Sequence, residues 1–119
     1  MGINFSNDKP IFIQFADIIK RDIMSGKFKA NQKLPSVREF ALEYSINPNT
    51  VQKALQILEA DGLIQTDRTN GKFVVDNLKK IQMQKIKLIN DEIDLLFEKA
   101  KALGFEVKEI KEIISKRGE

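Results

Sequence analysis

The sequence predicts a mainly α chain with one small β-hairpin, an α+β arrangement of three short helices, a hairpin and two further helices. Three observations carry this. Apolar residues recur at three- and four-residue steps in three separate stretches between Phe12 and Leu58. Two short β-prone runs, Leu63-Ile64-Gln65-Thr66 and Lys72-Phe73-Val74-Val75, flank Asn70-Gly71, a pair that tolerates positive φ and so marks a hairpin. Beyond Asn77 the apolar residues settle into a heptad-like seam. A helix-turn-helix followed by a hairpin is a winged helix-turn-helix, expected over residues 1–76. A short two-helix C-terminal tail follows over residues 77–119, read as a dimerisation device.

Each element has a local cause. Residues 1–8 read as a loose arm, with Asp8 as the cap of the first helix and Pro10 in its first turn, where no backbone donor is needed. Phe12, Phe15, Ala16, Ile19 and Ile23 form its apolar face, and Gly26 ends it because glycine enters the left-handed conformation cheaply. Phe28 through Lys33 reads as a connector. Ser36 and Glu39 then have capping-box spacing, so a second helix starts at Ser36 and turns Val37, Phe40, Ala41 and Tyr44 inward. Ser45-Ile46 is the turn. Asn47 caps the third helix with Pro48 at its first position, and Val51, Ala54, Leu55 and Leu58 make its buried stripe. Asp61-Gly62 terminates it.

Composition narrows the chemistry. The chain has 119 residues, 42% of them hydrophobic, enough for a folded core. There is no cysteine and no histidine, which removes disulfides, thiolate chemistry, the usual zinc sites and the commonest general base. Asp91, Glu92 and Asp94 point in different directions on a helix, and Glu106, Glu109 and Glu112 read as a solvated face interleaved with Lys108 and Lys111. No cofactor, metal or enzymatic constellation is expected. No apolar run is long enough to span a bilayer and no signal peptide opens the chain, so a cytoplasmic location with no membrane partner is expected. Met1-Gly2 with Ser6 fits a myristoylation pattern and Asn4-Phe5-Ser6 a glycosylation pattern; both are short and match by chance.

The polar residues left over point to nucleic acid. The outer face of the third helix carries Asn49, Thr50, Gln52, Lys53 and Gln56, with no carboxylate until Glu59. Amides, a hydroxyl and an ammonium can address base edges and phosphates in a major groove. A generic solvated face, which would more often include Asp or Glu, is the competing reading. Arg38 lies in the first turn of the second helix, where the helix dipole disfavours a cation. Either a salt bridge compensates it or DNA does, and its neighbours favour DNA. Arg68 and Lys72 flank the hairpin tip, where a cationic wing reaches phosphates or the minor groove. The net charge of +3 permits this without requiring it.

From about Pro10 to Val75 the chain resembles the winged-helix domain of the GntR family of bacterial transcription regulators. The matching residues are Pro10-Ile11-Phe12-Ile13-Gln14, Gly26, Leu34-Pro35-Ser36-Val37-Arg38-Glu39, Asn47-Pro48-Asn49-Thr50-Val51, Ala54, Leu58-Glu59, Gly62-Leu63-Ile64 and Asn70-Gly71-Lys72-Phe73-Val74. The short tail is similar to the YtrA-type subgroup, which lacks a large effector domain. The resemblance implies a homodimeric repressor on a double-stranded, roughly palindromic DNA operator. With the reading of the residues it nominates Ser36, Arg38, Asn47, Asn49, Thr50, Gln52, Lys53, Arg68, Asn70, Gly71 and Lys72 as DNA-binding. A small-molecule effector is compatible with this, and no residue marks its site.

The tail reads as a long helix from about Leu78 to Leu103, ended by Gly104, and a shorter second helix. Ile86, Ile89, Ile93, Leu96, Ala100 and Leu103 form its seam, Phe97 widens it, and Ile110 and Ile114 lie on the second helix. Two such helices cannot bury both stripes alone, so a second copy is the expected cover; the alternative is packing on the chain's own winged domain. Asp76-Asn77 is the expected hinge. Two rival functions share this fold: a plasmid replication or partition protein on iterated sites, and a winged helix that binds protein instead of DNA.

Overall fold

The computed structural model describes residues 5–118. Its elements are α1 (Ile11–Met24), α2 (Val37–Tyr44), α3 (Pro48–Ala60), β1 (Ile64–Asp67), β2 (Gly71–Val74), α4 (Leu78–Ala102) and α5 (Val107–Ser115). Five helices and one antiparallel hairpin make a mainly helical α+β chain, a winged helix-turn-helix with a helical tail. The chain forms two compact units, one ending at Gln82 and one beginning at Met83.

In the first unit, α1 buries Phe15, Ala16, Ile19 and Ile23, the residues its period places on one face. Its start differs from expectation. Pro10 occupies the N-cap position and no side chain caps the helix there, so Asp8 lies too far upstream to serve. Gln14 restrains the preceding segment instead. Its Nε2 donates to the carbonyls of Lys9 (2.6 Å) and Ser6 (2.9 Å), and its Oε1 accepts from the Ser6 amide at 2.9 Å. Phe5 packs on the core. The loose arm expected over residues 1–8 is therefore a fastened strap from Phe5 onward. Residues 1–4, which hold part of both chance pattern matches, lie outside the described residues. At the other end Gly26 has φ +88° and stops the helix as expected.

The capping box on α2 forms in full. The Ser36 hydroxyl accepts from the Glu39 amide (3.1 Å), and the Glu39 carboxylate accepts from the Ser36 amide (2.8 Å). Those bonds to Ser36, backbone first, hold the Glu39 carboxyl below its ordinary pKa, and Lys33 adds to this. Ser45 closes α2 in the left-handed region at φ 56°. The Asn47 carboxamide oxygen then accepts from the Asn49 amide at 2.7 Å, and Pro48 opens α3. Val51, Ala54, Leu55 and Leu58 of α3 pack with α1 and α2. At the centre Phe15 meets Phe40 at 5.3 Å and Tyr44 at 5.0 Å, both edge to face. Lys20 and Asp61, 3.2 Å apart, tie α1 to the end of α3.

β1 and β2 pair antiparallel from Ile64↔Val74 to Asp67↔Gly71. The connection is a three-residue loop, Arg68-Thr69-Asn70: of the five residues between the two β-prone runs, Asp67 and Gly71 pair with each other, so that Asn70-Gly71 stands at the end of the loop. Of that pair Gly71 alone has positive φ, at +108°. Asp67 braces this loop: its carboxylate accepts from the Thr69 amide (2.9 Å), the Asn70 amide (3.3 Å) and the Asn70 side chain (3.1 Å). These bonds, that from the Thr69 amide first, lower its pKa. The stretch expected as a plain connector also does more. Asn31 and Leu34 amides donate to the Val74 and Lys72 carbonyls (3.0 and 2.9 Å), the Val74 amide donates to Gln32 (2.9 Å), and Lys33 bridges Phe73. This stretch therefore lines the free edge of β2, a pairing too short to have a periodic signature.

Asn77 caps α4, its side-chain oxygen accepting from the Lys80 amide at 3.0 Å, and Ile81 packs on the core of the first unit. The second unit is built differently. Beyond Met83, Ile110 is the sole buried hydrophobic side chain among the described residues, while Ile86, Ile89, Ile93, Leu96 and Leu103 of α4 and Ile113 and Ile114 of α5 are exposed. Gly104 (φ +95°) ends the long helix as expected. Within the run of glutamates on α5, Glu109 has a structural task, accepting from the Glu106 amide at 2.9 Å. No described helix is long and apolar enough to cross a membrane.

Candidate nucleic-acid interface

The nominated residues fall at three places in the first unit: the start of α2, the first half of α3 and the wing loop. Local sequence fixes each. The capping box sets where α2 begins, so Ser36 and Arg38 stand at its N-terminal end and both are exposed. Arg38 has no ion pair or hydrogen bond among the described residues, so the salt bridge that would have explained it structurally is not formed. An exposed, unpaired guanidinium at a helix start is a group awaiting an anion.

On α3, Asn47, Asn49, Gln52 and Lys53 are exposed and Thr50 is half-buried. Asn47 spends its oxygen on the cap, and its NH2 group has no hydrogen bond among the described residues. Lys53 is steered by packing, its ammonium lying 5.5 Å from the centre of the Phe12 ring. A cation over an aromatic face loses freedom without losing charge, which readies it for a phosphate. This contact joins α1 to α3 across a wide gap in sequence and has no local signal.

A groove of about 470 Å³ runs between the start of α2 and the wing, and Ser36, Arg68, Asn70, Gly71 and Lys72 all border it. Two of the nominated parts thus share one concavity. Arg68 is exposed on the loop. The Asn70 side chain is held by Asp67, so Asn70 shapes the tip as well as presenting it. Lys72 differs from the rest: its ammonium donates to Thr66 Oγ1 at 2.8 Å and lies 3.4 Å from Glu59 Oε1. Sequence reading also passed over a residue of the groove. Lys33 borders it, is exposed, and has no hydrogen bond or ion pair among the described residues. Its place in a presumed connector concealed it. No group of three or more acidic side chains able to hold a metal occurs among the described residues.

The family model described as bacterial regulatory proteins, gntR family, matches residues 14–74. The chain belongs to the GntR family. The match takes in α2, α3 and the whole hairpin, the parts that hold the nominated residues. Among curated relatives, the helix-turn-helix-type transcriptional regulator YhcF of Bacillus subtilis is 32% identical over 94% of this chain and 93% of its own length. The repressor YtrA of the same organism is 36% identical over 88% of this chain and 82% of its own length, which supports the YtrA-type subgroup. A GntR-family regulator from Listeria monocytogenes superposes with a TM-score of 0.86 at 29% identity, covering 94% of this chain and 98% of that one. The DNA-binding domain of AraR, solved in complex with operator ORX1, superposes with a TM-score of 0.56 at 27% identity over 63% of this chain and 90% of its own. This GntR chain is a DNA-binding transcriptional regulator, and its relatives are regulators, not enzymes.

Proposed function

We propose that the protein acts as a homodimeric repressor that occludes a promoter by binding a near-palindromic operator. The observation that carries the reading is the apolar seam of the second unit. Ile86, Ile89, Ile93, Leu96 and Leu103 form a helical stripe that the chain itself leaves in water. A stripe of that length is covered most simply by its own copy about a two-fold axis, and a two-fold protein reads a two-fold site. Pairing makes the second half-site contact intramolecular. Phe97, Ala100 and Ile114 belong to the same interface, while Ile110, expected there too, is already buried within the chain and supports that surface from beneath. The repressor name of YtrA, together with its match over most of this chain, supports the direction of regulation.

On DNA, Arg38, Asn49, Thr50 and Gln52 read bases, while Ser36, Asn47, Lys53, Arg68, Asn70 and Gly71 hold phosphates or the adjoining minor groove. An effector that alters the pairing of the tails would move the two DNA-binding units relative to each other; the hinge expected at Asp76-Asn77 falls within the first unit, and the units divide between Gln82 and Met83. The recess between α4 and α5, about 390 Å³ and lined by Leu96, Leu103, Phe105 and Ile110, is of a size to take a small apolar molecule.

The test is a gel shift and footprint on the DNA upstream of the coding region across a salt series, with sedimentation equilibrium on the same sample. A dimer protecting one palindrome, with affinity falling steeply as salt rises, supports the reading. Protection of iterated sites would favour a replication or partition role, and a monomer with equal affinity for all duplexes would end the proposal.

A further inference from the structure

Three cations lie in or beside the wing, Lys33, Arg68 and Lys72, and the structure treats Lys33 and Lys72 differently. Lys72 sits in a closed triangle with Glu59 of α3 and Thr66 of β1. Its ammonium donates to the Thr66 hydroxyl (2.8 Å) and pairs with Glu59 (3.4 Å), and the Thr66 hydroxyl donates to the other Glu59 oxygen (3.0 Å). The hydroxyl has one proton and uses it on the carboxylate, so its lone pairs face the ammonium, and all three groups are satisfied at once. The Lys72 side chain is only 20% exposed. Its backbone carbonyl meanwhile accepts from the Leu34 amide at 2.9 Å, just before the start of α2. One residue therefore joins the last turn of α3, both wing strands and the approach to α2.

Lys33 has the opposite character. It is exposed, borders the groove shared with Ser36 and Arg68, and makes no hydrogen bond or ion pair among the described residues. Its stem crosses Gly71 so closely that a Cβ there would lie 3.2 Å from Lys33 Cε. Gly71 is required by its positive φ, and a side chain there would also displace the end of the Lys33 side chain. The Glu39 carboxyl feels the Lys33 charge but does not bind it.

The geometry points to an exchange of roles between two lysines beside the wing loop: Lys33 is the DNA-phosphate contact, and Lys72 is a positioning residue that sets the angle of the wing against α3 through Glu59 and Thr66. This rests on the DNA-binding reading of the same surface.

The two roles separate cleanly on DNA. The probes are a duplex that the wild-type protein selects from a randomised pool and a random duplex of equal length. Lys33→Met is expected to weaken both, and to reduce the slope of log affinity against log salt by about one for each subunit bound. Lys72→Met is expected to weaken the selected duplex by about fivefold, the scale of one moderate polar interaction, while leaving the random duplex nearly unchanged. Glu59→Gln decides the matter. It removes a negative charge and leaves Lys72 free, so a phosphate-contacting Lys72 predicts equal or tighter binding. A positioning Lys72 predicts the same loss as Lys72→Met, with no further loss in the double variant. Exchanging the pair, Glu59→Lys with Lys72→Glu, is expected to recover most of the affinity. Unchanged or tighter binding by Glu59→Gln, or an unchanged salt slope in Lys33→Met, would overturn the inference. Selection of no duplex by the wild-type protein would instead overturn the DNA reading beneath it. Circular dichroism melts of each variant check that it folds before its binding is compared.

Discussion

The two compact units have similar shares of apolar residues and opposite fates for them. Up to Gln82, Phe15, Ile19, Phe40, Val51, Leu55, Leu58, Leu63, Ile64 and Val74 are essentially inaccessible to water. From Met83 onward Ile89 is 61% exposed and Leu103 78% exposed. Three helices crossing one another with a hairpin against them enclose a volume, whereas a helix of 25 residues followed by one of nine can only lay side chains along a line. The lesson is that the first unit is stabilised by its own interior, while the second presents a surface whose free energy is realised only by being covered.

The comparison is broken most forcefully from within the first unit. Phe15→Ala removes the ring that meets both Phe40 and Tyr44, and is expected to cost about 3–5 kcal/mol, read as a large fall in the thermal midpoint. The corresponding change in the second unit should act on assembly. Ile89→Glu with Ile93→Glu is expected to yield a folded monomer by sedimentation, with operator affinity lower by about a hundredfold or more. A dimer that survives this pair of charges would place the interface elsewhere. A smaller effect sharpens the picture of the first unit. Asn47→Ala deletes the cap of α3 and is expected to cost about 1 kcal/mol in denaturant unfolding, without changing the subunit count.

The smallest expected effect is on pH dependence. Glu39 and Asp67 both have carboxyl pKa values lowered in the folded chain, by bonds to Ser36 and by bonds from Thr69 and Asn70. A lowered folded pKa means that the unfolded chain binds the proton more readily. Their contribution is therefore complete above the ordinary values of 4.5 and 3.8 and is lost as pH falls through the lower folded values. Glu39→Gln is expected to flatten the acid limb of a stability–pH curve slightly and to lower stability by a small constant amount above about pH 6. An unaltered acid limb would show that this capping carboxylate does not contribute to the linkage.

Local chemistry made much of this legible in the sequence. Ser36 with Glu39, Asn47 with Pro48, and Gly26, Gly62 and Gly104 each state a helix boundary within a few residues of themselves, and the structure places boundaries there. What escaped was contact over distance. Gln14 fastening Ser6 and Lys9 resembles any polar residue on a helix, and the pairing of residues 31–34 with β2 is too short to have a period. The hairpin was found from Asn70-Gly71, but its loop is braced by the three bonds of Asp67, a residue outside that pair. At the candidate site, residue type revealed which side chains could meet DNA. It could not tell the paired Lys72 from the unpaired Lys33, because charge is written in the sequence and its neighbours are not.

The seam between residues 31–34 and β2 also has a consequence in time. The bonds from Asn31 to Val74 and from Leu34 to Lys72 close a loop that contains the whole of α2 and α3. Closing a long loop is entropically costly, so it becomes favourable only once the intervening segments have shortened it. The helices can form and collapse on α1 with the wing still open, and the wing then docks onto a finished surface. Its edge amides should accordingly be among the last to gain protection from hydrogen exchange during refolding and among the first to lose it. The wing would then be the part of the domain able to open and reclose while the rest stays folded.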